Sequence, residues 1–150
     1  MPSTLRLWFE FDSDGTGELF AEVTSGKFSG TGSAWFDAQA LLEFGETLAS
    51  AYPLPSDTPL SLEGGYWAKS GAVIEQLHLG LRFYPIGSIG KVGCRVTLAT
   101  PVHEGQDRPE AQSMVAVELN TNYEQLRTFA HSIEALAKGA IVEAVLQTEG

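Results

Sequence analysis

Two stretches of alternating sequence decide the expected fold: Leu5-Arg6-Leu7-Trp8-Phe9-Glu10-Phe11 and Leu77-His78-Leu79-Gly80-Leu81-Arg82-Phe83. Every second residue in each stretch is apolar, which predicts a β-strand with one buried face and one face towards solvent. The turn residues that follow, at 12–17 and 85–90, predict that each strand leads into a hairpin. An antiparallel sheet is therefore the expected framework of the chain.

Two segments with a helical period predict helices that pack on this sheet. The first helix is expected to begin after Asp37, whose side chain can accept hydrogen bonds from the first free backbone N–H groups, and to stop at Pro53. The second is expected to begin at a capping box over residues 121–124 and to end near Gly139. The apolar stripes of the two helices include Leu41, Phe44, Leu48, Leu126, Phe129 and Ile133.

The order of these elements repeats, so each half of the chain is expected to read β-β-β-α-β. The strands of the two halves align at shifts of 72 and 73 residues, and the helices align at a shift of 85. An internal duplication would explain this pattern. Two unrelated halves would also show it if the apolar residues of each half followed the same amphipathic spacing. One half alone would leave a sheet edge and a flank uncovered. We therefore predict one domain over residues 1–150, with pseudo-repeats at about 1–72 and 73–150.

The predicted fold class is α+β, with an antiparallel sheet and two helices packed on one of its faces. Residues 140–147 leave a choice between a last strand and more helix, and the pattern favours the strand. The opposite face of the sheet is then expected to stay free to meet another molecule.

The charge balance limits the kinds of partner. The chain has 19 acidic and 9 basic side chains and a formal net charge of −10. This excess argues against nucleic acid, because neutralising phosphates supplies much of that affinity. The excess of acidic residues is compatible with a basic protein partner, although many proteins are acidic only because this keeps them soluble. No apolar run is long enough for a membrane span, and the N-terminus lacks a secretory signal, so we expect a cytoplasmic protein.

Motifs for metal and phosphate binding are incomplete. Residues 12–18 resemble the start of a calcium loop, but the twelfth position holds Val23 where the loop needs Glu. Residues 87–91 have two residues between their glycines, where a phosphate loop has four. The histidines are too far apart in sequence to be paired ligands on one helix. They are His78, His103 and His131.

Nucleophiles and acid–base pairs are not indicated either. Cys94 shares a strand face with apolar residues, which predicts a buried, inert thiol. No serine lies in the turn typical of hydrolases, and no pair of carboxylates is singled out. We therefore predict no catalytic residue, no metal site and no cofactor. Enzymatic activity is left open, with a protein that is not an enzyme favoured.

Two surface features indicate a binding site. Between Leu7 and Gly26 there are five acids and no base, which forms an acidic patch if the hairpin is exposed. Aromatic side chains fall on the outer sheet face and in a Gly-rich connector, as they do at many interfaces. The alternatives for this face are a second small core or the contact of a homodimer. The candidate partner-binding residues are Trp8, Asp12, Asp14, Glu18, Trp35, Trp67, Arg82 and Tyr84.

The order of elements and two capping segments resemble a known group of proteins. These features are the alternating first strand, Phe36-Asp37 leading into the first helix, the strand from Gly90 to Leu98, and Asn120-Thr121-Asn122-Tyr123 before the last helix. Together they resemble the WapI-type bacterial immunity proteins and allied small uncharacterised bacterial families. This resemblance implies a small cytoplasmic binding protein that neutralises a toxin domain, and it implies no catalytic residue.

The leading functional hypothesis is a non-enzymatic protein-interaction module, with an immunity protein as its specific form. Its acidic and aromatic surface would cover the active cleft of a basic toxin domain. The alternative is a small-ligand-binding protein or minor enzyme that uses a cleft between the two halves. A third hypothesis is a protein that associates with itself through the outer sheet face.

Overall fold

A computed structural model of the chain describes residues 2–102 and 108–148. The elements are β1 (Ser3–Phe11), β2 (Thr16–Ser25), β3 (Phe28–Asp37), α1 (Ala38–Ser50), β4 (Leu60–Trp67), β5 (Ile74–Ile86), β6 (Lys91–Ala99), β7 (Met114–Asn122), α2 (Tyr123–Ala137) and β8 (Ala144–Thr148). A short 3-10 helix at Pro109–Ala111 precedes β7. The α+β class, the repeated β-β-β-α-β order and the last strand are confirmed.

The strands are divided between two antiparallel sheets, each of four strands. Sheet A has the order β3-β2-β1-β8, and sheet B has the order β4-β5-β6-β7. The last strand of each half pairs with the first strand of the other half, since β8 pairs with β1 and β4 pairs with β5. With these exchanged strands the chain forms two separate sheets, where the sequence predicts one. The pairing of strands from different halves also holds the two halves together.

The strand register of the two sheets refines the repeat. Leu7 lies opposite Ala21 in sheet A, and Leu81 lies opposite Val96 in sheet B. If Asp37 and Asn122, which precede the two helices, are taken as equivalent, their partners Thr16 and Lys91 are 75 positions apart. The matching residues of β1 and β5 are then 74 positions apart, where the sequence pattern suggested 72 and 73. A slip of two residues keeps every side chain on the same face, because side chains alternate with a period of two. The alternation alone could not detect it.

The two helices begin at equivalent caps. The Asp37 side chain accepts hydrogen bonds from the backbone N–H groups of residues 39 and 40, as predicted. At α2 the predicted capping box over residues 121–124 is wrong by one residue. Asn122 is the N-cap, and its side chain accepts a hydrogen bond from Gln125 N at 2.8 Å. Asp37 and Asn122 are 85 positions apart, which agrees with the shift expected for the helices.

One contiguous core lies between the inner faces of the sheets and the helices. Phe83 of β5 lies near both helices, with its ring centroid 6.1 Å from that of Phe44 and 6.4 Å from that of Phe129. The helices also pack against each other, and α2 contacts strands of both sheets. The helices therefore cover the inner faces, and each sheet has its own outer face.

Glycines let β3 lie close against sheet B. A Cβ atom on Gly32 would lie 2.8 Å from the carbonyl oxygen of His78, and one on Gly30 would lie 2.6 Å from Val115 Cγ1. A Cβ atom on Gly64 of β4 would lie 2.7 Å from the Cβ of Ala34. Glycine in a strand often marks such an approach of backbone. The missing side chains therefore bring the two sheets into contact.

A bulge lets β4 continue through Tyr66 and Trp67, whereas the sequence predicts that the strand ends at Gly64-Gly65 and that residues 66–71 form a connector. The pairing register shifts at Gly64/Gly65 and at Tyr66/Trp67, so the last two residues belong to the strand and not to a connector. Gly65 is required because a Cβ there would lie 1.9 Å from the carbonyl oxygen of Gln76. The ring of Tyr66 then lies 4.6 Å from that of His78, which is buried although the alternation suggested an exposed position.

Candidate functional site

The predicted site residues fall on two different faces of the molecule. Trp8, Glu18 and Trp35 lie on the outer face of sheet A, because they alternate with buried residues of β1, β2 and β3. Asp12 and Asp14 occupy the β1–β2 turn at the end of that face. The structure brings these five residues together. The other three belong to sheet B, and they are Trp67, Arg82 and Tyr84.

The outer face of sheet A carries a group of aromatic rings. Trp8 stacks on Phe20, which lies directly opposite on β2, with ring centroids 5.4 Å apart and an interplanar angle of 4°. Trp35 on β3 is 58% exposed and lies opposite Glu18. Phe20 was not a predicted site residue, although its alternation with buried Leu19 and Ala21 places it on this face. We call Trp8, Glu10, Glu18, Phe20 and Trp35 the acidic aromatic face.

Two carboxylates oppose each other on this face. Glu10 and Glu18 are directly paired across β1 and β2, and like charges at such positions are destabilising. Glu18 Oε2 accepts a hydrogen bond from Ser33 Oγ at 2.7 Å. In the part of the chain that the structure describes, no Lys, Arg or His nitrogen lies within 4.0 Å of either carboxylate. Their negative charge is available to a partner.

Arg6 confines the acidic region to one end of the face. Its Nε lies 3.3 Å from Glu143 Oε2, and its Nη1 lies 3.7 Å from Glu22 Oε1. Its guanidinium carbon lies 5.1 Å from the centroid of the Trp8 ring. These pairs are exposed, so they contribute little stability, and the single positive charge of Arg6 offsets part of the charge of Glu22 and Glu143. The remaining negative charge is concentrated at Glu10, Glu18 and the neighbouring turn.

The two aspartates of the turn have a local structural role as well as a charge. Asp12 Oδ1 accepts a hydrogen bond from Ser13 N at 2.7 Å. Asp14 Oδ1 accepts hydrogen bonds from the hydroxyl and the backbone N–H of Thr16. These bonds from Thr16 lower the pKa of Asp14. Its carboxylate therefore stays ionised to lower pH than an ordinary aspartate, and the turn remains acidic.

The outer face of sheet B has a different chemistry. Arg82 lies directly opposite Arg95, and both line a depression of about 450 Å³. The hydroxyl of Tyr84 donates a hydrogen bond to Glu118 Oε2. Burial of Tyr84 and this hydrogen bond raise the pKa of its phenol, so it stays protonated as a donor. Arg95 was not a predicted site residue, although it too alternates with buried residues.

A third feature surrounds Trp67 at the end of β4. Trp67 is half exposed, and Val73 in the following connection is exposed. A groove of about 560 Å³ runs beside them, lined by Ser61, Glu63, Trp67, Ala72, Val73, Ile74 and Leu77. This groove is separate from the acidic aromatic face, since none of its lining residues belongs to sheet A.

Groups with nucleophilic or ligating chemistry are dispersed. Cys94 is fully buried, and burial raises the pKa of its thiol far above the ordinary value. His78 Nε2 lies 2.6 Å from Gln76 Oε1, while exposed His131 pairs with Glu134. His103 lies outside the described residues. Within residues 2–102 and 108–148, no three His, Cys, Asp or Glu side chains are grouped so as to hold a metal.

Neither helix of the described chain has the length and apolar character that crossing a membrane would require. Comparisons with known proteins found no relative: no family model matches the chain, and neither does any curated protein or solved structure.

Proposed function

We propose that this protein is a protein-interaction module that binds a basic protein through its acidic aromatic face. The observation that carries the proposal is the exposed Trp35 beside the opposed carboxylates of Glu10 and Glu18. Tryptophan is enriched among the residues that dominate binding energy at interfaces. A cation from a partner would relieve the repulsion between the two carboxylates, so the charge of this face favours a basic occupant.

The sheet makes this face suitable for binding. Its side chains project from β1, β2 and β3 of sheet A. Hydrogen bonds to neighbouring strands hold the backbones of β1 and β2 on both sides and that of β3 on one side. A rigid surface loses little conformational entropy on association. The net charge of −10 would also attract a basic partner over a distance and raise the association rate.

The specific form of the proposal is an immunity protein. The partner would be a toxin domain with a basic active cleft, and binding would cover that cleft. The charge of the face and the resemblance of the sequence to WapI-type immunity proteins support this form. Action by occlusion needs no catalytic residue in the immunity protein.

Co-purification with the product of an adjacent gene tests the proposal. We expect a tagged copy of this protein to retain that product, and we expect Trp35→Ala or the double variant Glu10→Gln with Glu18→Gln to lose it. The matched control is Phe28→Ala, which removes another exposed aromatic ring at the opposite end of β3. Retention by wild type and by the Phe28 variant only would support the proposal.

Two results would contradict it. One is equal retention by wild type and by the Trp35 and Glu10/Glu18 variants, which would place the contact elsewhere. The other is self-association, in which sedimentation detects a dimer of the protein alone that Trp35→Ala converts to a monomer. That result would assign the face to a second copy of this chain.

A further inference from the structure

We propose that the outer face of sheet B carries a second site, which binds the oxyanion of a small molecule between Arg82 and Arg95. The ligand class is a phosphate monoester or a carboxylate. This site is distinct from the acidic aromatic face, because its residues belong to the other sheet.

The strand register places the two arginines where one anion could contact both. Arg82 on β5 lies directly opposite Arg95 on β6, and both side chains are exposed. Directly opposed residues have Cβ atoms about 5 Å apart, and like charges there destabilise the sheet. An oxyanion between the two guanidinium groups would remove that repulsion. Guanidinium groups bind phosphate and carboxylate oxygens through paired N–H donors.

Neither arginine forms a salt bridge with the residues that the structure describes. Across residues 2–102 and 108–148, no carboxylate oxygen lies within 4.0 Å of a nitrogen of Arg82 or Arg95. Glu118 lies opposite Arg95 on β7 and offsets part of its charge without a direct salt bridge, while its Oε2 accepts the hydrogen bond of the Tyr84 hydroxyl. Ser61 is the residue opposite Arg82 on β4. Two arginines without carboxylate contacts are notable in a chain with 19 acids and 9 bases.

The shape of the surface is suited to a small molecule. The depression of about 450 Å³ is lined by the two arginines and by Ser56, Pro59, Tyr84 and Pro85. Its volume lies in the range of small-molecule sites, and the depression is open to solvent on one side. Ser56 adds a hydroxyl, and the two prolines add rigid apolar walls that could contact the body of a ligand. The depression joins the α1–β4 connection to sheet B, so both halves of the chain contribute to it.

A titration followed by nuclear magnetic resonance tests this site. The probes are phenyl phosphate and benzoate, with phenol as the neutral control, all at constant ionic strength. We expect saturable shifts of the arginine side-chain signals with one or both anions and none with phenol. Arg82→Gln and Arg95→Gln should each weaken binding by about tenfold or more, since each removes charge-assisted hydrogen bonds.

Arg127→Gln is the matched control, because it removes the same charge from the exposed surface of α2. It should leave the affinity unchanged, as should Trp35→Ala on sheet A. Unchanged amide spectra show that the variants are folded. The proposal is overturned if neither anion gives saturable shifts, if phenol binds equally well, or if Arg127→Gln weakens binding as much as the sheet B variants. The relative affinities of phenyl phosphate and benzoate identify the preferred oxyanion.

Discussion

At the scale of single residues, Gly32 controls the contact between the two sheets. A side chain there would meet the backbone of β5 and β6, which hydrogen bonds hold in place. We predict that Gly32→Ala lowers the free energy of unfolding by about 1–3 kcal/mol, the usual cost of overpacking. Urea denaturation measures this. Thr31→Ala, at the exposed neighbouring position, should change it by less than about 0.5 kcal/mol, and equal effects would contradict the role of Gly32.

His78 links stability to pH. Burial lowers its pKa below the ordinary 6.5, so the unfolded chain binds a proton more readily than the folded chain. The stability that the neutral ring contributes is present above about pH 6.5 and falls as the pH is lowered through that value. We therefore predict that wild type loses more stability than His78→Gln between about pH 7 and about pH 5. Urea denaturation across that range measures the difference.

Ser29→Ala is the control for this prediction, because it changes an exposed side chain that does not titrate in this pH range. It should keep the pH dependence of wild type. If His78→Gln and wild type lose the same amount of stability as the pH falls, burial of the His78 ring is not the cause of the pH dependence of stability.

At the scale of elements, β8 stabilises the half of the molecule to which it does not belong in sequence. Leu146 is buried and lies opposite Leu5 of β1, whereas the neighbouring Val145 is 41% exposed. We predict that Leu146→Ala lowers the free energy of unfolding by about 2–5 kcal/mol, because it leaves a cavity in the shared core. Val145→Ala should cost much less. Calorimetric or denaturant unfolding of both variants compares them, and similar losses would argue against the exchanged strand.

The elements could be predicted from the sequence to different extents. The alternation in β1 and β5 and the helical period in α1 and α2 gave the strands, the helices and the repeated order. The pairing partners of β4 and β8 could not be derived, because a period of two reports which face is buried and not which strand lies alongside. The bulge at Gly64/Gly65 and the burial of His78 depend on contacts with distant strands, which local patterns do not contain.

At the scale of the whole molecule, the division into two sheets determines which surface residues can act together. The alternation correctly placed Trp8 and Trp35 on an outer face. It could not separate them from Arg82 and Tyr84, because that required knowing that the halves form separate sheets. The same division puts Arg82 beside Arg95. An acidic surface and a basic depression thus lie on different sheets of one small protein.

The affinity of the adjacent gene's product for wild type and for Trp35→Ala, measured at low and at high salt, tests the central claim most directly. If the acidic aromatic face binds a basic protein, the dissociation constant rises with salt and rises by about tenfold or more when the Trp35 ring is removed. Equal affinity of both forms for that product, or no binding by wild type at either salt concentration, would contradict the account.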